Sequence, residues 1–543
     1  MLTLPLEPTD DRANPVFKDA AGCAQWLGQL QLTNLQLAHH QLLIQIVEFN
    51  RYPMRGLERL NTLELLRETV QHVQADLAKK LIDRPLPLNE SEYLTFLSIV
   101  QLWQVMGTGY QRGLQAYIAG DKQLDKQGAL LCERCLVYCG LEIFEHLRTG
   151  YEFDAQIWHQ LHQLYAYAEQ QAFHQTEVPD PLAPQSSVNS CSNSYVKSLL
   201  ACFARPAELT RWQLQQTERW LALWSGSVSV SARTSVSKGD AQPLAVDLSS
   251  RTGLQRVEAL QAGDALRYLA MVPLSKLLRV KMILLQQGQT PQQVGLGELY
   301  DSQACLDLLT LLHQSWCETQ QKRVGNRRSK VIHADICLGA NGIYAHLTGE
   351  VFKNRNRVMD NLTRRQIETF GRPMSQVNKP DEVAIVHPLE RWEIENEHIL
   401  GACLRRDDKK AARVSVKQLI AMRPGNASVF MLAVIAWARV MCNGSLQIGI
   451  RHLPGLPEAM RLSASGINPA TAEAPVFMLP ALPALHSPAS LVMPRDWFQP
   501  GRVIEVLSAS KEVNWLQLGF SVEHGLDYER VSFKPVKKSL MAG

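Results

Sequence analysis

Arg323 and Arg327 stand four positions apart in the segment Lys322–Lys330, which carries five cations in nine positions with Gly325 and Asn326 among them. A guanidinium is planar, forms two parallel charge-assisted hydrogen bonds to a phosphate, and stacks on a base with its face. Two of them on an irregular arm can clamp opposite sides of a nucleotide. A solvated interdomain linker has the same composition, and the residues alone leave both readings open. A second polar group lies downstream, where Asn396, His398 and Gly401 fall in the run Asn-Glu-His-Ile-Leu-Gly. A neutral imidazole can donate a hydrogen bond.

Other chemistry-bearing residues read as structural. Cys132, Cys135 and Cys139 occupy one face of an apolar helix, with no second CxxC or HxxxH to complete a metal site, so core thiols are expected. His159 and His162, and likewise His39 and His40, have no acid or cysteine at ligand spacing and read as polar positions on helix flanks. His333 and Asp335 are neighbours on one side of a strand, and thiol chemistry at Cys337 or Cys403 would need a base that the sequence does not place. No GxSxG, HExxH, phosphate-loop lysine or dinucleotide fingerprint occurs. A protein that is not an enzyme, with no cofactor and no metal, is expected.

The elements that must position the second group run from Arg391 to Leu453. Trp392, Ile394 and Asn396 alternate with Glu393, Glu395 and Glu397, a period of two that fits a half-buried strand. Gly401 ends that run and Arg405–Lys410 form a charged turn. Val414, Val416 and Leu419 resume the apolar pattern, Arg423-Pro-Gly-Asn426 is a turn, and the apolar run 429–441 leads to Asn443-Gly444. Asn-Gly is a strong hairpin signal, and Leu446, Ile448 and Ile450 alternate after it. A small antiparallel barrel or sandwich follows.

This stretch resembles a PilZ domain, a bacterial module that binds cyclic di-GMP. Arg323-Val-Gly-Asn-Arg327 fits the family's RxxxR motif, and Asn396-Glu-His-Ile-Leu-Gly401 fits its [DN]xSxxG motif with His398 in place of serine. Trp437-Ala-Arg439 and Gly449-Ile-Arg-His resemble the later strands of the family. The two motifs lie 69 positions apart, further than in a compact member. Asp335-Ile-Cys-Leu-Gly339 is a nearer second motif, with Cys337 for serine and the glycine one position early; Asn396 is preferred. The resemblance implies a cyclic di-GMP ligand, held at the guanine faces and phosphates by Arg323 and Arg327 and at the floor by Asn396 and Gly401, with His398 where the serine hydroxyl donates.

The rest of the chain sets limits. At 543 residues several domains are expected, and a net charge of +4 exerts no bulk pull on nucleic acid or membrane. Sparse aromatics around the basic stretches argue against a single-strand nucleic-acid platform. The N-terminus lacks a basic n-region and the most apolar window is too short to span a bilayer, so a cytoplasmic protein without a signal peptide is expected. Eleven scattered cysteines fit reduced thiols. The organisation read from these patterns is α+β and multidomain. Residues 1–226 form a helical bundle or helix-pair stack, and 227–321 a β-hairpin plus helices, with a helix expected over 262–272. Residues 322–460 form the PilZ-like barrel with its arginine arm, and 461–543 a β extension or second small barrel in which Trp515 and Phe520 are core. A protein partner is expected through the helical region. The expected function is a bacterial signalling effector that couples nucleotide binding to partners; the alternative is a scaffold whose barrel no longer binds nucleotide.

Overall fold

The computed structural model describes residues 2–4, 6–182, 188–234, 240–318, 332–352, 387–398, 400–407, 411–463, 473–508 and 512–536. They form two compact units: 1–84 with 88–323, and 85–87 with 324–543.

The first unit is mainly helical. Its helices are α1 (Ala20–Leu27), α2 (Leu35–Arg51), α3 (Gly56–Ala78), α4 (Glu90–Ile118), α5 (Gly128–Thr149), α6 (Gln156–Gln170), α7 (Cys191–Phe203), α8 (Arg211–Trp224), α9 (Val272–Gln286) and α10 (Ser302–Trp316). The sequence before α4 offers Asn89 or Ser91 as its N-cap, and the structure uses Asn89, which accepts from the Glu92 amide while Glu92 reaches back to the Asn89 amide, a reciprocal cap. Cys132, Cys135 and Cys139 of α5 are buried, as their helical spacing predicts. His162 differs from its expected flank position. It is fully buried, with Tyr195 Oη 2.8 Å from Nδ1 and the Thr252 carbonyl oxygen 2.9 Å from Nε2, so the packing of α6 on α7 turns it inward.

A buried ionic network pins α3 to α5. Arg134 is fully buried; its Nε donates to Glu64 at 2.9 Å, its Nη1 to Glu133 at 2.6 Å, and its Nη2 to the Pro179 carbonyl at 2.7 Å. Asn189 and Ser194 donate to the other Glu133 oxygen at 2.8 and 3.0 Å, and Arg67 donates to Asp180 at 2.7 Å. Charges this far from water are tolerated only when paired and hydrogen-bonded on every side.

Among the described residues, six short strands complete this unit. β1 (Val178–Pro179) pairs with β2 (Val188–Asn189), while β3 (Val230–Ser231), β4 (Leu244–Asp247), β5 (Gln255–Arg256) and β6 (Leu266–Leu269) make a sheet of order β3-β6-β4-β5. Two expectations are corrected here. The strands at 230 and 244 are no hairpin, because β6 lies between them, and the expected helix over 262–272 contains the strand β6. Pairing on both edges overrides the local helical pattern, and the helix begins only at Val272.

The second unit holds two closed antiparallel barrels. The first is built from β7 (Ile332–Leu338), β8 (Glu390–His398), β9 (Gly401–Arg406), β10 (Leu419–Pro424), β11 (Met431–Val440) and β12 (Leu446–His452), with α11 (Ala340–Thr348) following β7. The second is built from β13 (Glu458–Ser463), β14 (Glu473–Leu479), β15 (Ser490–Pro494), β16 (Val503–Ser508), β17 (Val513–His524) and β18 (Tyr528–Val536). Closure removes exposed sheet edges from both. The C-terminal strands therefore make a second barrel rather than completing the first.

A shared core joins the barrels. Cys337, Ile343, Leu419, Leu432 and Leu453 pack in one buried cluster with Phe477, Val492 and Tyr528 of the second barrel. The second barrel has its own interior of Leu462, Val476, Leu491, Ile504, Val506 and Val531. Phe520 is 64% exposed and Trp515 is half-buried, contrary to the core positions expected for them. Register shifts between Leu518 and Ser521 and between Ser521 and Glu523 interrupt the alternation of β17, so period-two counting fails at Phe520, whereas Trp515 lies in the regular part of the strand and alternates with the buried Leu516 and Leu518.

Candidate functional site

The site residues expected from sequence divide into two groups. Arg323 and Arg327 lie outside the described residues. Asn396, His398 and Gly401 come together at the tight turn between β8 and β9, where His398 is the register partner of Gly401 and Asn396 that of Cys403.

Gly401 is dictated by its surroundings. A Cβ there would sit 2.0 Å from the Ile450 carbonyl oxygen of β12, a backbone atom with no room to swing aside. The same turn is tied to β12 by the His452 amide, which donates to the Leu400 carbonyl at 2.9 Å. His398 closes the turn from the other side: the Leu400 amide donates to its Nδ1 at 3.3 Å. An accepting Nδ1 in a neutral ring places the proton on Nε2.

β7 runs antiparallel to β8 with Ile332 opposite Ile394, so the start of β7, five positions after Arg327, faces a residue two positions before Asn396. Among the described residues, α11 lies in the chain between these adjacent strands. The nearer alternative motif is otherwise engaged. Asp335 accepts from Arg423 at 2.8 Å, and Cys337 is buried in the core shared by the barrels.

Two cross-strand rows extend from the turn. The first is Trp437–Gly449–Cys403–Asn396, read across β11, β12, β9 and β8. The Trp437 indole lies over Gly449 so closely that a Cβ there would meet its Nε1 at 1.9 Å. Trp437 is half-buried, and the exposed Arg439 guanidinium sits 5.6 Å from its ring centroid. The second row is Arg439–Gln447–Arg405–Glu393. Arg439 donates to Gln447 at 2.7 Å, Arg405 to Glu393 at 2.6 Å, and Cys403 to Glu395 at 3.4 Å. The Glu393 bond pushes the Arg405 pKa up, and these cations and carboxylates offset one another. Trp437 and Gly449 match the later strands of the resemblance, but their sequence positions alone do not bring them to the site. The small residue opposite a tryptophan was the available signal.

Together these features define a class: a helical N-terminal unit joined to a unit of two antiparallel barrels, the first carrying a glycine-dependent turn beside a half-buried tryptophan. Comparison with known proteins is more specific. Residues 20–235 match the family described as "Cyclic-di-GMP receptor FimW, N-terminal domain" and residues 461–536 match "FimW C-terminal beta-barrel domain". The first barrel lies between these two matches. The chain is also similar to a protein of Pseudomonas aeruginosa named "Cyclic-di-GMP receptor FimW", at 22% identity over 557 residues covering 92% of this chain and 88% of that protein. Among the described residues no helix is long and apolar enough to cross a membrane, and no group of three or more His, Cys, Asp or Glu could hold a metal ion.

Proposed function

We propose that this chain is a cyclic di-GMP receptor of the PilZ-like kind, binding the nucleotide at the turn between β8 and β9 of its first barrel and acting as a signalling effector rather than an enzyme. The observation that carries this reading is the pairing of β7 with β8, in which Ile332, five positions after Arg327, lies opposite Ile394, two positions before Asn396 on the same strand. In this reading the two arginines hold guanine faces and phosphates, Asn396 and Gly401 shape the floor, and His398 donates through Nε2. The name of the Pseudomonas aeruginosa relative supports the ligand, and the family matches on both flanks support the architecture.

Calorimetric titration of the full chain with cyclic di-GMP tests it. Heat with a Kd of about tens of micromolar or tighter is expected, and Arg323→Ala should weaken binding by about 1.5–3 kcal/mol, the range for a hydrogen bond to a charged group. No heat in that range overturns the reading. A protein partner engaging the helical unit completes the effector reading, and its capture should depend on nucleotide. The scaffold reading is favoured by one observation, the histidine at the serine position. It requires capture of the partner to be unchanged without nucleotide and in the Arg323→Ala, Arg327→Ala double variant.

A further inference from the structure

The turn between β8 and β9 is held by more than its own barrel. Gly401 is the register partner of Arg451 on β12, and Arg451 reaches across to the second barrel, where its Nη2 pairs with Glu523 of β17. The same Glu523 oxygen accepts from Tyr528 Oη at 2.6 Å. Glu523 owes its direction to the register shift after Ser521, which re-aims the strand end away from the alternation of β17. Tyr528 in turn is 2% exposed and belongs to the core shared by the barrels. Two further bonds hold the segment between β17 and β18 against the first barrel. The Leu526 amide donates to the Lys417 carbonyl at 2.8 Å, and the Leu419 amide to Asp527 Oδ1 at 2.9 Å.

We propose that the C-terminal barrel is a working part of the nucleotide site: Glu523 and Tyr528 fix Arg451, and the strand bearing Arg451 fixes the turn that carries Asn396, His398 and Gly401. They act as positioning residues. The placement of a binding turn is set by what its neighbouring strand is held against, because backbone contacts as close as Gly401 on Ile450 transmit displacement directly. The inference rests on the nucleotide reading of the first barrel.

The test uses the full chain and cyclic di-GMP. Glu523→Gln keeps the shape and removes the charge, and Tyr528→Phe keeps the buried ring and removes the donor. Each should weaken binding by about three- to fivefold; the melting temperature should change little in Glu523→Gln, which alters a partly exposed ion pair, and should fall in Tyr528→Phe, which also loses a buried hydrogen bond. Exchanging the pair as Arg451→Glu with Glu523→Arg should restore affinity. Unchanged affinity in both single variants overturns the inference while leaving the nucleotide reading intact. Weakened binding that the exchange does not restore also overturns it, since Arg451 would then be touching the ligand itself. If the unaltered chain binds no nucleotide, the functional reading fails, and hydrogen exchange decides the bracing separately. Faster exchange over residues 400–404 in Glu523→Gln supports it, and equal exchange overturns it.

Discussion

Gly401 shows how a single missing side chain can be the most constrained feature of a site. The nearest atom to a new Cβ is a carbonyl oxygen in the middle of a paired strand, so relief requires moving backbone. Gly401→Ala should therefore lower stability by about 1–3 kcal/mol, the cost of overpacking a tight contact, and abolish nucleotide binding. Denaturant unfolding and calorimetry read the two effects separately. A second residue makes a pH-dependent prediction. Burial pushes the Glu142 carboxyl up to about 7, while the Gln104 amide, donating at 2.6 Å, pulls the other way. Between the ordinary 4.5 and 7 the folded chain keeps a proton that the unfolded chain releases. Stability from this group therefore falls as pH rises through that window and stays low above it. Glu142→Gln should raise the melting temperature at pH 8 and leave it unchanged at pH 4, and an equal shift at both values would refute the argument.

At the scale of elements, the α3–α5 contact depends on a charge network rather than on apolar area alone. Removing Arg134 leaves Glu133, itself fully buried, without its ion-pair partner. Arg134→Met should cost about 3–5 kcal/mol in thermal or denaturant unfolding, the penalty for an uncompensated buried charge. Little of this network was visible in the sequence: Glu133 and Arg134 are neighbours on α5, but Glu64 reaches Arg134 only through the packing of α3 on α5, and Asp180 comes from the loop after β1. Elements whose signals are local were legible: the Asn89 cap of α4, the Asn443-Gly444 hairpin between β11 and β12, and the cysteine face of α5. The failures were non-local. β6 hid in a helical pattern until its two neighbours were known, and the bulges of β17 reversed the side expected for Phe520. The candidate site divides the same way. Asn396, His398 and Gly401 were recognisable as a motif, whereas the row linking Asn396 to Trp437 needs three strand registers.

At the scale of the molecule, the two barrels of the second unit are distinct in topology and continuous in their packing. Each closes on its own six strands, yet one buried cluster draws Leu419 and Leu432 from the first, Ile343 from α11, and Phe477 and Val492 from the second. A cluster that spans two barrels makes their stabilities interdependent, because a cavity opened on either side removes contacts from both. Phe477 is 1% exposed and sits on β14, with no part in the turn at β8 and β9. Phe477→Ala should cost about 3–5 kcal/mol, as for other buried phenylalanines, and the loss should register in the first barrel as well as in the second. Native-state hydrogen exchange separates the outcomes: protection should drop together in β10–β11 of the first barrel and in β14–β15 of the second. Loss confined to the second barrel would mean that the barrels fold as independent units despite their shared core, and that the first needs nothing from its neighbour to hold its turn.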